Sequence, residues 1–215
     1  DAARAQGRDF RSADEARRWL VSEQLGTNAD ALLIHLSFDS PRSVDVIRAY
    51  VAMKLPLNGS ASSIGLSPLT LVTRSCVGNL SAPLTTAVLI EAGANPTLPA
   101  PDGDKSTPLM EAVNCPLVLQ AMLARQVDLS TVDGRGYTVM HHALGSSEAR
   151  EDSVRIVREA GFDVAKWRPS LTKAFGYQPD LAALLDGRAA ATPAATGRAI
   201  DWTALWQTAV FAAGL

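Results

Sequence analysis

The sequence predicts an all-α protein built from repeated helix-turn-helix units, and three observations predict it. A turn-to-helix phrase recurs: Gly65-Leu66-Ser67-Pro68-Leu69, Ser106-Thr107-Pro108-Leu109, Gly136-Tyr137-Thr138-Val139-Met140 and Asp201-Trp202-Thr203-Ala204-Leu205. Each of the first three is followed by a second segment with helical apolar spacing and then by a loop. The recurrences keep a register of about 33 residues, as in repeat architectures: 31 positions separate Thr107 from Thr138, 40 separate Ser67 from Thr107, and 33 separate Ser170 from Thr203.

Taken in order, residues 12–25 place Ala16, Trp19 and Leu20 on one helical stripe, which suits an N-terminal cap over 12–30. A weak unit over 31–66 follows, with helical patterns at 31–36 and 44–53. The unit at 67–106 carries an insertion and has its second helix at 84–92, ahead of the turn Gly93-Ala94-Asn95-Pro96. In the unit at 107–137, Thr107 caps a helix whose first turn holds Pro108, where the missing amide hydrogen costs nothing. Its second helix spans 117–124, with Cys115-Pro116 at a shortened turn. The unit at 138–169 pairs a helix from Val139 with one over 151–161, where Gly161 is a natural left-handed C-cap. After Lys166-Trp167-Arg168-Pro169 the pattern reads as a short helix pair, 170–175 and 179–185. This belongs to a degenerate unit and linker over 170–200, closed by a capping helix at 201–215 that packs through Trp202 and Trp206. The whole chain, 1–215, reads as one domain.

Composition bounds the function. The 215 residues are 47% hydrophobic and 20% charged, enough to fold, and the net charge of -2 builds in no attraction to nucleic acid or anionic lipid. No run reaches the 18 or so apolar residues that span a bilayer, so stable membrane insertion is not expected. The first residue is not Met, which leaves localisation open, export included. Cys76 and Cys115 hold similar positions in adjacent units. The preferred reading is two small buried residues at helix ends, with a disulfide across the stack as the alternative if the protein is exported.

Signals for catalysis are weak. His141 and His142 are adjacent, so on a helix they point about 100° apart and cannot meet one metal as an i, i+4 pair would. Asp102-Gly103-Asp104 lacks the closing Glu of a calcium loop and reads as a loop tip. No phosphate loop, serine elbow or paired-carboxylate signature is present. Catalytic residues, metal ligands and cofactors are accordingly assigned to none of the positions.

The repeated units resemble those of ankyrin-repeat proteins. Asp133, Gly136, Thr138, Met140, His141 and Ala143 match the family's phrase in sequence. Asp102, Thr107, Pro108, Leu109 and Ala112 match one unit earlier, with Lys105 in place of the Gly and Met110 in place of the His. Gly65, Ser67, Pro68 and Leu69 match the unit before that, and Gly93-Ala94-Asn95 its closing loop. The resemblance covers about residues 60–165 and implies a solenoid of antiparallel helix pairs with short finger loops.

It also implies a non-catalytic module that binds another protein. Bacterial ankyrin proteins of this size include adaptors and proteins that neutralise a toxic effector by covering it, as an immunity protein does, which implies a place in the bacterial cytoplasm or periplasm. His141 falls at the family's structural His. Contacts in the family concentrate on finger tips and the inner side of first helices. Here those positions are Asp104, Ser106, Glu111, Asn114, Arg135, Tyr137, His142 and Ser146, together with Gly103, Cys115, Gly134 and Gly145, and Ser62, Ser63 and Leu66 in the earlier unit. Arg135 and Tyr137 stand out, as a rigid aromatic beside a five-donor guanidinium suits a hot spot. The alternatives are an enzyme or regulatory subunit using His142 with acidic neighbours, and a structural oligomerisation domain.

Overall fold

A computed structural model describes residues 8–188 except 38, 41, 60–62, 64, 102, 148 and 177. The linker after 188, the capping helix at 201–215 with Trp202 and Trp206, and Ser62 lie outside the described residues. Among the described residues the chain forms eleven α-helices and two 3-10 helices and no strand, so the protein is all-α.

Local chemistry explains most helix starts. Ser12, Asn28, Ser67 and Thr107 each accept a backbone N–H three residues on, opening α1 (Ala13–Ser22), α2 (Ala29–Leu33), α4 (Pro68–Arg74) and α6 (Pro108–Glu111). Pro residues begin α4, α6, α7 (Pro116–Leu123) and α11 (Pro179–Leu185). The other elements are α3 (Ser43–Ala52), α5 (Ala82–Glu91), α8 (Val139–Gly145), α9 (Arg150–Glu159) and α10 (Val164–Phe175). Short 3-10 turns, Ile34–Ser37 and Ala112–Asn114, extend α2 and α6.

Two rows of helices result. In one, α1, α3, α5, α7 and α9 contact each other in sequence and α9 meets α11; in the other, the turn after α2 contacts α4, α4 contacts α6, and α6 contacts α8. Between the rows runs one continuous core that includes Leu20, Leu33, Ile47, Tyr50, Leu69, Leu89, Leu109, Leu119 and Met122, each at most 2% exposed. The Tyr50 hydroxyl, pushed up to about 12 by burial and then by the Asp30 charge, donates to the Pro56 carbonyl at 2.6 Å.

The turns before the first helices share a backbone geometry. Gly65, Lys105 and Gly136, three residues before Pro68, Pro108 and Val139, all adopt positive φ: +79°, +58° and +81°. Only glycine takes that conformation without a Cβ penalty, and Lys105 takes it regardless.

Three expectations need correction. The segment around Pro169 is not a break: α10 runs continuously from Val164 to Phe175 with Pro169 inside it. Asp163 caps its start by accepting from the Lys166 N–H at 3.0 Å, and Trp167, Leu171 and Phe175, spaced by four, keep one apolar stripe against the core. Cys76 and Cys115 are not two separate thiols but one disulfide, with Cα atoms 6.2 Å apart. Leu66 is no exposed finger contact but is 7% exposed within the core.

Candidate functional site

The fingers are built from carboxylates that turn back on their own backbone. Asp133 Oδ1 accepts the N–H groups of Arg135 at 2.8 Å and Tyr137 at 2.9 Å, while the Asp133 N–H donates to the Tyr137 carbonyl. Its other oxygen meets the Arg135 guanidinium at 3.2 Å and His142 Nε2 at 3.0 Å. Burial pushes this carboxyl up, but those bonds from Tyr137, Arg135 and His142 outweigh it and hold Asp133 below the ordinary carboxylate range. Asp133 is therefore an ionised, fully buried hub.

The neighbouring finger leans on this one. The Gly134 N–H donates to the Asp104 carbonyl at 2.6 Å, and a Cβ on Gly134 would lie 2.8 Å from that oxygen, so the approach requires glycine. Arg135 completes the contact by pairing with the Asp104 carboxylate at 3.0 Å. The same guanidinium lies over the Tyr137 ring, 5.1 Å from its centroid, and Tyr137 stacks on His141 at 4.9 Å.

His141 is bonded on both sides. Its Nδ1 accepts the Thr138 N–H at 3.1 Å, which closes a capping box at the start of α8 and leaves Nε2 as the donor to Ser170 Oγ on α10, 3.1 Å away. Burial, then the neighbouring His142, lowers its pKa from 6.5 despite the opposing Asp133 charge, so the ring is neutral at pH 7. Bonded on both sides, the ring fastens the start of α8 to α10.

A second hub lies on the next helix back. Glu111 accepts from Arg74 Nη2 at 3.0 Å, Ser106 Oγ at 2.8 Å and Thr73 Oγ1 at 3.3 Å, tying the end of α4 to α6 and its finger. Ser146 Oγ donates to Asn114 Oδ1 at 2.9 Å, tying α8 to the turn after α6.

Of the positions assigned from the sequence, Asp104, Ser106, Glu111, Asn114, Arg135, Tyr137, His142, Gly145 and Ser146 line one open groove of about 710 Å³, while Gly103, Cys115 and Gly134 do not. They come from three successive units, along with Thr73, Arg74, Cys76 and Phe175. Ser63 does not join them; its N–H bonds Asp30. The sequence reasoning missed Asp133 as an organiser, although an Asp ahead of Gly136 was a turn signal. It also missed Arg74, because nothing local connects that residue to Glu111, 37 positions away.

Chemically the groove offers a guanidinium at the lip, an aromatic face and paired charges. The pairing of Asp133 with His142 orients the imidazole, but the Ser106 and Ser146 hydroxyls bond Glu111 and Asn114 instead of it. Among the described residues no three His, Cys, Asp or Glu side chains are grouped to hold a metal ion, and no helix is long and apolar enough to cross a membrane. No protein-family model matches the chain, and no curated protein matches it by sequence.

Proposed function

We propose that the chain is a protein-binding module of ankyrin type, a stack of helix pairs that captures a partner protein in the groove spanning its three central units. The observation that carries the reading is the convergence of finger and first-helix side chains from three units on that groove. The fixed geometry of Arg135 and Tyr137 adds to it. Arg135 is held by two carboxylates yet keeps a 54% exposed side chain, and Tyr137 is pinned between it and His141. Ordering such groups before contact lowers the entropy lost on binding. The two helix rows and the recurrent positive-φ turn support the ankyrin-type stack.

A toxic effector neutralised by being covered is the partner class we favour, on the family resemblance. The test is coexpression of the tagged chain with its neighbouring genes, comparing wild type with Arg135→Ala and Tyr137→Ala. A photo-crosslinker at Ser147 in the groove lining reports where the captured protein sits. One protein should be recovered in stoichiometric yield and crosslinked at Ser147, and each substitution should weaken it by about 2 kcal/mol or more, roughly thirtyfold. Recovery of no partner, or capture indifferent to both substitutions, overturns the reading.

A further inference from the structure

The disulfide lies on one wall of the groove. Cys76 follows the end of α4, and Cys115 follows the 3-10 turn after α6, so the bond joins two adjacent units beside the groove that Cys76 itself lines. Polar ties also cross this wall, Arg74 to Glu111 with the arginine side chain 38% exposed and Thr73 to Glu111 at 3.3 Å, and α4 and α6 pack through the core that holds Leu69 and Leu109. The Arg74–Glu111 pair is bidentate, with Nε and Nη2 both donating to the carboxylate, and it acts beside the covalent tie. The segment they must hold is a four-residue helix running into a three-residue 3-10 turn, too short to be stable by itself.

The loop after Cys76 is also fixed from the opposite side. Ser75 Oγ donates to the Leu36 carbonyl at 2.9 Å, Asn79 Nδ2 reaches the same carbonyl at 3.4 Å, and the Ser81 N–H bonds Asp39. The α4 side of the wall is thus tied to the preceding unit. The α6 side is tied to the following one through Asn114 with Ser146 and through Ser153 Oγ with the Val113 carbonyl. The covalent bond joins these two halves, alongside the Glu111 bonds and the core packing between α4 and α6.

We propose that the Cys76–Cys115 disulfide is a clamp on the partner-binding groove, so that the oxidised chain presents a fixed groove, the dithiol chain a loosened one, and the chain works where a thiol oxidant is supplied. This rests on the protein-binding reading of the groove. The chemistry requires an oxidised dithiol protein. One cysteine thiolate attacks its disulfide to give a mixed disulfide, and the second thiolate displaces it. Two electrons pass to the oxidant, which leaves as a dithiol carrying the two protons that the cysteines gave up. The two residues are 6% and 9% exposed, so the folded chain shields the bond from small reductants. With Cys76 and Cys115 the only cysteines, no wrong pairing competes.

The experiment uses the full chain purified after export to an oxidising compartment, the same chain reduced and alkylated, and the double variant Cys76→Ser, Cys115→Ser. Intact mass should show the exported chain lighter than its reduced form by two hydrogens. Hydrogen exchange should show amides of 73–79 and 111–115 exchanging about tenfold or more faster without the bond, while the core helices α5 and α9 stay protected. A full set of thiols in the exported chain, or groove amides unchanged on reduction, overturns the proposal while leaving the protein-binding reading intact. Global unfolding on reduction overturns it too, because the bond would then hold the whole fold and not the groove. The partner recovered by coexpression supplies the last arm: equal capture by oxidised and dithiol chains sinks the clamp, whereas failure to recover any partner sinks the underlying reading.

Discussion

Lys105 is the residue where the repeated turn departs most visibly from its own rule. The turn demands positive φ, Gly65 and Gly136 supply it freely, and Lys105 adopts +58° against the clash of its Cβ with the backbone. Replacing it by Gly relieves that strain at the cost of a more flexible unfolded chain. Lys105→Gly should raise stability by about 0.5–1 kcal/mol in urea unfolding; a loss of stability would show that the Lys side chain compensates through contacts of its own. His141 gives a second prediction at this scale. Its folded pKa lies below the 6.5 of the unfolded ring, so the unfolded state binds more protons as pH falls. The contribution is fully present above pH 6.5 and is lost as pH falls through the lowered folded value. Unfolding midpoints should therefore decline from pH 7.5 toward pH 5, and His141→Asn, destabilised at pH 7.5, should show a shallower decline. An unchanged slope would remove His141 from the account.

Elements show what was legible in the sequence and what was not. Helix starts were readable because their determinants are local: Ser67 and Thr107 each accept an N–H three residues on, and His141 accepts the Thr138 N–H three residues back. The continuity of α10 was not, because Pro169 is a local breaker overruled by Trp167, Leu171 and Phe175 packing on other elements. The groove residues were legible as a set through their register in the repeat. Their organisers were not, since Arg74 and Glu111 meet only after two units have stacked. Helix α5 carries a further consequence of stacking. It lies between α3 and α7 in its row, and it buries Thr85 and Thr86, whose hydroxyl oxygens have no hydrogen-bond partner. A buried hydroxyl without a partner costs about 1–3 kcal/mol, and an isosteric methyl removes that cost. Thr86→Val should therefore raise the urea midpoint by the equivalent of about 1 kcal/mol; a decrease would mean that a bound water satisfies the hydroxyl in solution.

At the scale of the molecule, the same stacking that positions the groove makes stability a shared property. Units in a linear stack hold one another through neighbouring interfaces, so damage at the centre should be felt toward both ends. Leu109 is the place to test this. It is 2% exposed at the start of α6, between α4 and α8, and its N–H reaches back to the Pro96 carbonyl of the preceding unit. Truncation to Ala leaves a cavity with little freedom to collapse and should cost about 2–5 kcal/mol. The chain carries reporters on either side, Trp19 packed on Phe10 at α1 and Trp167 beside Phe162 at α10. With Trp202, Trp206 and one reporter at a time replaced by Phe, fluorescence follows each end separately. In the oxidised parent chain the two urea transitions should coincide, and Leu109→Ala should move both to lower denaturant. A shift confined to one reporter would mean that the two halves unfold independently. The groove would then straddle a joint between separate units instead of lying on one coupled surface.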